Sequence, residues 1–300
     1  MTARTGSKRG DFGETGAKLQ TFLPQGLYLA ATPIGASQDL TYRAKEALEK
    51  AHVIAAEDTR RALKLMTLHG VSRAGRPMVP YHDHNGAQSR PRLLSHIAAG
   101  ESVVYVSDAG TPLIADPGWK LAQDVIEADL PVYALPGASA LLAALSVAGL
   151  PTDRFMFCGF LPPKQAARRA DLSSLAAVPG TLVFYESPRR LAAMLEDMAA
   201  ILGDRPAAVC RELTKLHEEV RRDSLSALAT HYHDAGPPKG EIVIVIGPPL
   251  PTTTTTADID AALTTALQDM RVKDAAKTVA DALGLPRKEV YARALTLKDQ

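Results

Sequence analysis

The sequence holds only two cysteines, Cys158 and Cys210, each inside an apolar run. With no C-x-x-C pair and no secretory segment, a disulfide framework is excluded, and buried structural thiols in a reducing cytoplasm are expected. No stretch reaches the roughly eighteen apolar residues of a membrane span. "ASALLAALSVAGL" comes nearest, and its shortness and alanine content make it a buried helix. No charge excess exists either. There are 34 Lys and Arg against 33 Asp and Glu, a net charge of +1, which argues against a protein that coats nucleic acid non-specifically. The polar start "MTARTGSKRGDFGETGAKLQ" has no apolar h-region. Residues 1–25 are therefore expected to be a disordered tail, not a signal peptide.

Several catalytic motifs are missing as well. No two glycines are separated by one residue, so there is no G-x-G-x-x-G dinucleotide loop. There is no G-x-x-x-x-G-K-[ST], no HExxH or cysteine-based zinc pattern, and no G-x-S-x-G elbow. His82-x-His84 and His231-x-His233 lack a third ligand at useful spacing. They read as exposed loop histidines, and no metal is expected.

What is present is a regular alternation. Apolar runs ("LYLAA", "HVIAA", "MVPY", "SVVYV", "PVYAL") each precede an amphipathic helical pattern, over 40–50, 60–68, 88–99, 117–128 and 139–148. This predicts an α/β domain over 26–150 with a mostly parallel sheet covered on both faces. After the linker "GLPTDRF" the strand-like runs follow one another more closely, so 151–248 reads as a second α/β domain with a mixed sheet. "PPLPTTTTT" is a low-complexity linker. Residues 257–300 end in two short helices broken at Gly284–Leu285–Pro286. One apolar face is Ala276, Val279, Ala280 and Leu283; the other is Val290, Tyr291 and Leu295. This suits a helix-turn-helix or a generic two-helix element.

The candidate site residues lie where strands end. In "LAATPIGASQDLTYRA" a turn at Thr32–Gly35 precedes a helix capped by Asp39 or Thr41. In "AAEDTRRA", Glu57, Asp58 and Arg60 follow a strand directly, as a polar site or as a capped helix start. In "VVYVSDAGTPLIADPG", Pro112 and Pro117 fix φ while Gly110 and Gly118 admit unusual backbone shapes. Such a stiff loop has no lysine and few free amides, which suits a zwitterion better than a polyphosphate. Asp108 within it could pair with an ammonium or hydroxyl group. "ALPGASALLAAL" turns at Pro136–Gly137 into a helix opened by Ser139 and Ala140. "VFYESPRRL" places Tyr185, Glu186 and Arg189 at a strand end, and "CRELTKLHEEV" and "KGEIVIVIGP" supply further loops. Loops at the carboxyl ends of parallel strands are where α/β sheets bind ligands.

In order, "ATPIG…DLTYRA", "AEDTR", "YHDHN", "VSDAGTPLIADPG", "PGASALLAAL", "GFLPPK", "YESPRR" and "CRELTKLHEEV…KGEIVIVI" closely resemble the bacterial small-subunit rRNA ribose 2′-O-methyltransferases. These belong to the tetrapyrrole-methylase superfamily. The resemblance runs from about Gly26 to Gly247, and the final helices are similar to that family's helix-turn-helix extension. It departs at Ala36–Ser37, where Asn–Leu is usual. It implies two α/β domains of tetrapyrrole-methylase type with S-adenosyl-L-methionine in the cleft between them, held by Pro33, Gly35, Asp108, Gly110, Thr111, Pro112, Ile114, Ser139, Ala140, Tyr185 and Leu213. It further implies a cytidine ribose in the decoding centre of 16S rRNA, on the small ribosomal subunit, as substrate, and a homodimer. For such chemistry the candidate bases are Glu57, Asp58 and Glu186. Arg60 and Arg189, with the basic run Lys164, Arg168 and Arg169, could hold RNA phosphates. Two other readings are a related methylase acting on a tetrapyrrole and a donor-sensing nucleic-acid-binding regulator. Residues 252–300 carry seven basic and seven acidic side chains, which disfavours the regulator.

Overall fold

A computed structural model of the chain describes residues 22–82, 85–250 and 256–298. The described residues form two compact units, one ending at Pro249 and one beginning at Leu250. Among them no helix is long and apolar enough to cross a membrane. Residues 1–21 of the expected tail lie outside the described residues, as does His84. Residues 22–25 correct the rest of that expectation, because they are tied to the helices and turns beside the first sheet. Phe22 stacks on His52 with ring centroids 4.3 Å apart, and the Leu23 amide donates to the Lys50 carbonyl. The Gln25 side chain donates to the Ile97 carbonyl at 2.7 Å.

The first lobe contains β1 (Gly26–Ala30), α1 (Tyr42–Lys50), β2 (Val53–Ala56), α2 (Thr59–Leu68), β3 (Met78–Pro80), α3 (Gly86–Ala98), β4 (Ser102–Val106), α4 (Trp119–Glu127), β5 (Val132–Leu135) and α5 (Ala140–Ala148). Its strands pair in the order β3-β2-β4-β1-β5, parallel throughout. The central strands are buried along their length because helices cover both faces. Ala44, Ala47, Leu48 and Met66 of α1 and α2 pack on one face with Ile54, Val104 and Val106. Leu93, Ile97, Leu121 and Val125 of α3 and α4 pack on the other with Val53, Val103 and Tyr105. The chain runs outward from β1 to β2 and β3, then returns to insert β4 beside β1. That reversal opens a crevice between the carboxyl ends of β1 and β4.

The second lobe contains β6 (Phe155–Phe160), α6 (Gln165–Leu175), β7 (Thr181–Glu186), α7 (Leu191–Leu202), β8 (Pro206–Arg211), β9 (Glu219–Ser224), α8 (Leu225–Ala235) and β10 (Ile242–Ile246). Its sheet order is β6-β7-β10-β8-β9, with β6 parallel to β7 and the other pairs antiparallel. One face carries α6, α7 and α8 over Leu182, Phe184, Val209 and Ile244. The other face is covered by α5 of the first lobe. Leu141, Ala144, Leu145 and Ala148 pack there against Val183, Ala208, Cys210, Val243 and Val245. The alanine-rich run that reads as a buried helix is therefore the element that joins the lobes through one apolar core. Both thiols sit in this lobe, Cys210 buried and Cys158 half-buried. Burial pushes them up to about 12 and about 11, so both stay protonated and unreactive.

The C-terminal unit has three helices where two were expected: α9 (Thr256–Asp269), α10 (Val272–Leu283) and α11 (Arg287–Lys298). Leu263 of α9 joins Ala276, Val279, Ala280, Val290 and Ala294 in a core of its own. Arg293 of α11 pairs with Asp260 of α9. Gly284 ends α10 in the left-handed conformation, φ 65°, as a C-terminal glycine does. The expected apolar face of α11 is corrected. Tyr291 and Leu295 are exposed, and the inward residues are Val290 and Ala294, one helical turn apart.

Candidate functional site

The loops after β1 and β4 are stitched across the crevice. The Thr32 amide donates to the Gly110 carbonyl at 2.9 Å, and the Gly110 amide donates back at 3.0 Å. The Thr111 hydroxyl reaches the Ala138 carbonyl before α5 at 3.0 Å. The loop ends against fully buried Tyr105, whose hydroxyl donates to the Pro117 carbonyl at 2.8 Å. Gly118, φ 123°, has no room for a Cβ there, since Tyr105 and Leu113 atoms lie 2.7 Å from where it would be. Helix α4 consequently starts at Trp119 and not at Pro117. Between these anchors Leu113 and Ala115 take φ of 72° and 61°, a conformation that costs about 1–3 kcal/mol for each non-glycine residue. The residues next to them, Ile114 and Asp116, line a cavity.

That cavity, about 410 Å³, lies at the strand ends of both lobes and falls in the size range of small-molecule sites. The first lobe contributes Ile34, Glu57, Arg61, Asp108, Ser139 and Ala140, and the second contributes Phe160, Tyr185, Glu186, Leu213, Glu241 and Val243. Five carboxyl side chains line it (Glu57, Asp108, Asp116, Glu186, Glu241) against one guanidinium, Arg61. Two carboxylates interlock through backbone amides. Glu57 accepts from the Asp108 amide at 3.1 Å, and Asp108 accepts from the Asp58 amide at 3.1 Å. The other Asp108 oxygen pairs with Arg61 at 3.0 Å. Asp116 stands beside them without such a partner network. Burial, then the charges of Glu57 and Asp108, push its carboxyl up to about 6 against a weaker pull from the Ser107 hydroxyl. Burial also raises the Tyr185 phenol, opposed by its hydrogen bond with the Leu141 backbone in the first turn of α5. Glu186 is buried. One oxygen accepts from the Ser187 amide and hydroxyl at 2.6 and 3.1 Å, and the other lies 3.3 Å from Arg190.

Two local features bring the second lobe to the cavity. In β6 the pairing with β7 slips by one residue between Phe157 and Gly159, a β-bulge. Strand side chains alternate, so Phe157 and Phe160, three apart, would point to opposite faces; the extra residue puts both on the same face. Both then pack edge-on against Tyr185, at 4.8 and 5.6 Å. The β8–β9 loop grips the first lobe. Glu212 and Thr214 have positive φ, and the Thr214 hydroxyl accepts from the Ala36 amide at 3.0 Å. Lys215 binds Glu212 and Glu241, each at 2.8 Å. Gly35 and Gly240 are the close approaches. A Cβ at Gly35 would meet Thr214 at 2.6 Å, and one at Gly240 would overlap Glu212.

Of the expected donor-site residues, Asp108, Gly110, Thr111, Ile114, Ser139, Ala140, Tyr185 and Leu213 line the cavity. Pro33, Gly35 and Pro112 do not; Pro112 is buried and Gly35 packs on the Leu213–Lys215 segment. Among the candidate bases Glu57 and Glu186 line it. Asp58 does not, because its carboxylate caps α2, accepting from the Arg60 and Arg61 amides at 2.8 and 3.4 Å. Arg168 is corrected outright as an RNA contact. It is buried, and its guanidinium is paired with Asp197 at 2.6 Å. Arg60, Lys164 and Arg189 are exposed. Arg189 and Lys239 flank a shallow groove that shares Ser187, Pro188 and Gly240 with the cavity. Residues not singled out from sequence are Asp116, Arg61, Ile34, Phe160 and Glu241. Asp116 stands within "VVYVSDAGTPLIADPG", and Arg61 stands next to Arg60.

The donor set tests well against a sulfonium amino acid. A cavity with five carboxyls, one cation and apolar walls at Ile34, Ala140, Leu213 and Val243 favours a compact cation with an apolar body over a polyphosphate.

Residues 26–229 match the family of Tetrapyrrole (Corrin/Porphyrin) Methylases, and residues 253–298 match the RsmI C-terminal HTH domain. A protein of Mesorhizobium japonicum named Ribosomal RNA small subunit methyltransferase I is 46% identical over 278 residues, covering 92% of this chain and 94% of its own. One of the same name from Erythrobacter litoralis is 47% identical, covering 92% and 96%. Among solved structures, the conserved hypothetical protein APE0931 from Aeropyrum pernix K1 is 19% identical with a TM-score of 0.59, covering 91% of this chain and 96% of its own. It shares the fold.

Proposed function

The chain belongs to the tetrapyrrole methylase family and is an S-adenosylmethionine-dependent methyltransferase, and from that premise we propose that it methylates the ribose 2′-oxygen of a cytidine in the decoding centre of small-subunit rRNA. The observation that carries the reading is the joint match of the two lobes and the C-terminal helices to full-length relatives named for small-subunit rRNA methylation. Bound S-adenosylmethionine supplies an activated methyl group on a cationic sulfur. The residues that would hold it are the Asp108–Thr111 and Ser139–Ala140 backbone, the walls Ile34 and Leu213, and Tyr185.

The protein's own task is positioning and proton removal. Orienting two reactants can contribute about 7–11 kcal/mol to lowering the barrier. The stitched β1 and β4 loops and the apolar lobe junction supply a fixed frame for this. The cavity opens beside the groove of Arg189 and Lys239, where cations would hold flanking phosphates while the ribose enters; exposed Arg60 at the start of α2 would add a further cation. Splayed, single-stranded RNA suits such an opening. We place the reaction in the cytoplasm, on the small ribosomal subunit, with the enzyme as a homodimer.

The test is methyl transfer from labelled S-adenosylmethionine to small ribosomal subunits lacking the modification, beside naked rRNA and a porphyrinogen. The expected product is rRNA labelled at one cytidine whose 3′ linkage resists alkali. Label in the porphyrinogen alone would establish the tetrapyrrole reading. Donor binding without transfer to any acceptor would establish the regulator.

A further inference from the structure

Resting on the ribose-methylation reading, we propose that Asp116 is the general base that takes the proton from the 2′-hydroxyl. Four observations converge on it. It lines the cavity, and the backbone leading into it is held in a strained shape, with Leu113 at φ 72° and Ala115 at φ 61°. Strain of this kind persists where the fold must present a particular group. The other acids are committed elsewhere: Asp58 to the α2 cap, Asp108 to Arg61 and the Asp58 amide, Glu57 to the Asp108 amide, Glu186 to Ser187 and Arg190, and Glu241 to Lys215. Asp116 has like charge on one side, Glu57 and Asp108, and the Tyr185 phenol across the cavity from the second lobe.

The titratable groups facing it are Glu57 at the end of β2, Asp108 after β4 with Arg61 of α2 on its far oxygen, and Tyr185 of β7; Glu186 and Glu241 line the same cavity. Burial, then like charge, makes its carboxylate more basic, up to about 6. A base titrating near the working pH is both ionised and able to accept a proton. In the step, Asp116 takes the hydroxyl proton and the oxygen's electron pair forms the new O–CH₃ bond. The S–CH₃ bond breaks with its pair remaining on sulfur. The cationic sulfonium becomes a neutral thioether, and the proton passes from Asp116 to solvent.

The experiment pairs single-turnover transfer to small subunits with a titration that needs no turnover. Carbon-13 carboxyl NMR of the donor-free protein should show one aspartate titrating near pH 6. That signal should be absent in Asp116→Asn and moved to lower pH in Glu57→Gln. The transfer rate of the wild type should rise with pH through the same midpoint. Asp116→Asn should be slower by about 10²–10⁴-fold with no acid limb, with donor affinity by calorimetry unchanged within about threefold. Asp116→Glu should recover part of the rate. A rate for Asp116→Asn within threefold of wild type overturns the assignment while leaving the methylation reading intact. Donor affinity lost in proportion to rate also overturns it, making Asp116 a donor ligand. A wild type that labels no rRNA removes the reading and the assignment together.

Discussion

Replacing Arg168 with alanine should be among the most destabilising single changes in the protein, without touching RNA binding directly. Arg168 is 6% exposed and its partner Asp197 is 2% exposed. The guanidinium gives Asp197 two contacts, at 2.7 and 2.6 Å, and a third bond to the Pro163 carbonyl at 3.2 Å. Gln165 adds one more donor to Asp197 at 3.1 Å. Truncation leaves a buried carboxylate with only Gln165 and a long contact to half-exposed Arg169 at 3.4 Å. Breaking a buried pair from one side costs about 3–5 kcal/mol. In a unit of this size that lowers the melting temperature by about 6–20 °C. Removing both charges in Arg168→Met with Asp197→Leu should restore most of the loss, because the desolvation cost disappears with the pair. Lys164→Ala, on the exposed start of the same helix, should stay within about 0.5 kcal/mol. Denaturant titrations of the four proteins decide the matter. The reasoning fails if Arg168→Ala unfolds within 1 kcal/mol of the wild type, and above all if it then binds small-subunit RNA more weakly.

Three further outcomes follow from the site. Asp116 is an acid whose folded carboxyl titrates near 6 instead of 3.8, so between about pH 4 and 6 the folded state binds more protons than the unfolded. Stability is therefore lost as pH rises through that window. Asp116→Asn should be more stable than the wild type at pH 7.5 by about 1–2 kcal/mol, after discounting a half-exposed group for solvent screening; an unchanged urea midpoint at both ends of the window would refute this. Thr214→Val deletes the acceptor of the Ala36 amide and should cost about 1–2 kcal/mol, with a higher dissociation constant for the donor by calorimetry. Gly240→Ala meets both a φ of 102° and the Glu212 side chain. It should displace Glu212 from Lys215, lower stability by about 1–3 kcal/mol, and impair transfer more than the exposed-glycine change Gly75→Ala, whose site is open.

Much of the first lobe was legible because each of its signals is local. Buried parallel strands are apolar on both faces, and the helices after them announce themselves through caps such as Thr41, which accepts from the Ala44 amide. At Asp58 two local readings competed, and capping prevailed. What escaped depended on distant partners. Nothing near Arg168 marks Asp197, 29 residues on, so a basic run looked like a solvated face. Asp116 is informative only once Glu57 and Tyr185 are beside it, and those come from another strand and another lobe. Helix α9 was missed because "TADIDAALTTALQD" has little contrast between its faces; only Leu263 in it is buried.

The slip in β6 makes the count of residues in that strand matter as well as their identity. Phe160 reaches the cavity because one unpaired residue shifts the alternation. Losing a single residue between Phe157 and Phe160 would leave a well-formed ladder with Phe160 turned to the far side, away from Tyr185. The length of this edge is therefore as much a constraint on the cavity wall as the side chains along it, because Phe160 lines the cavity only while the extra residue is in place.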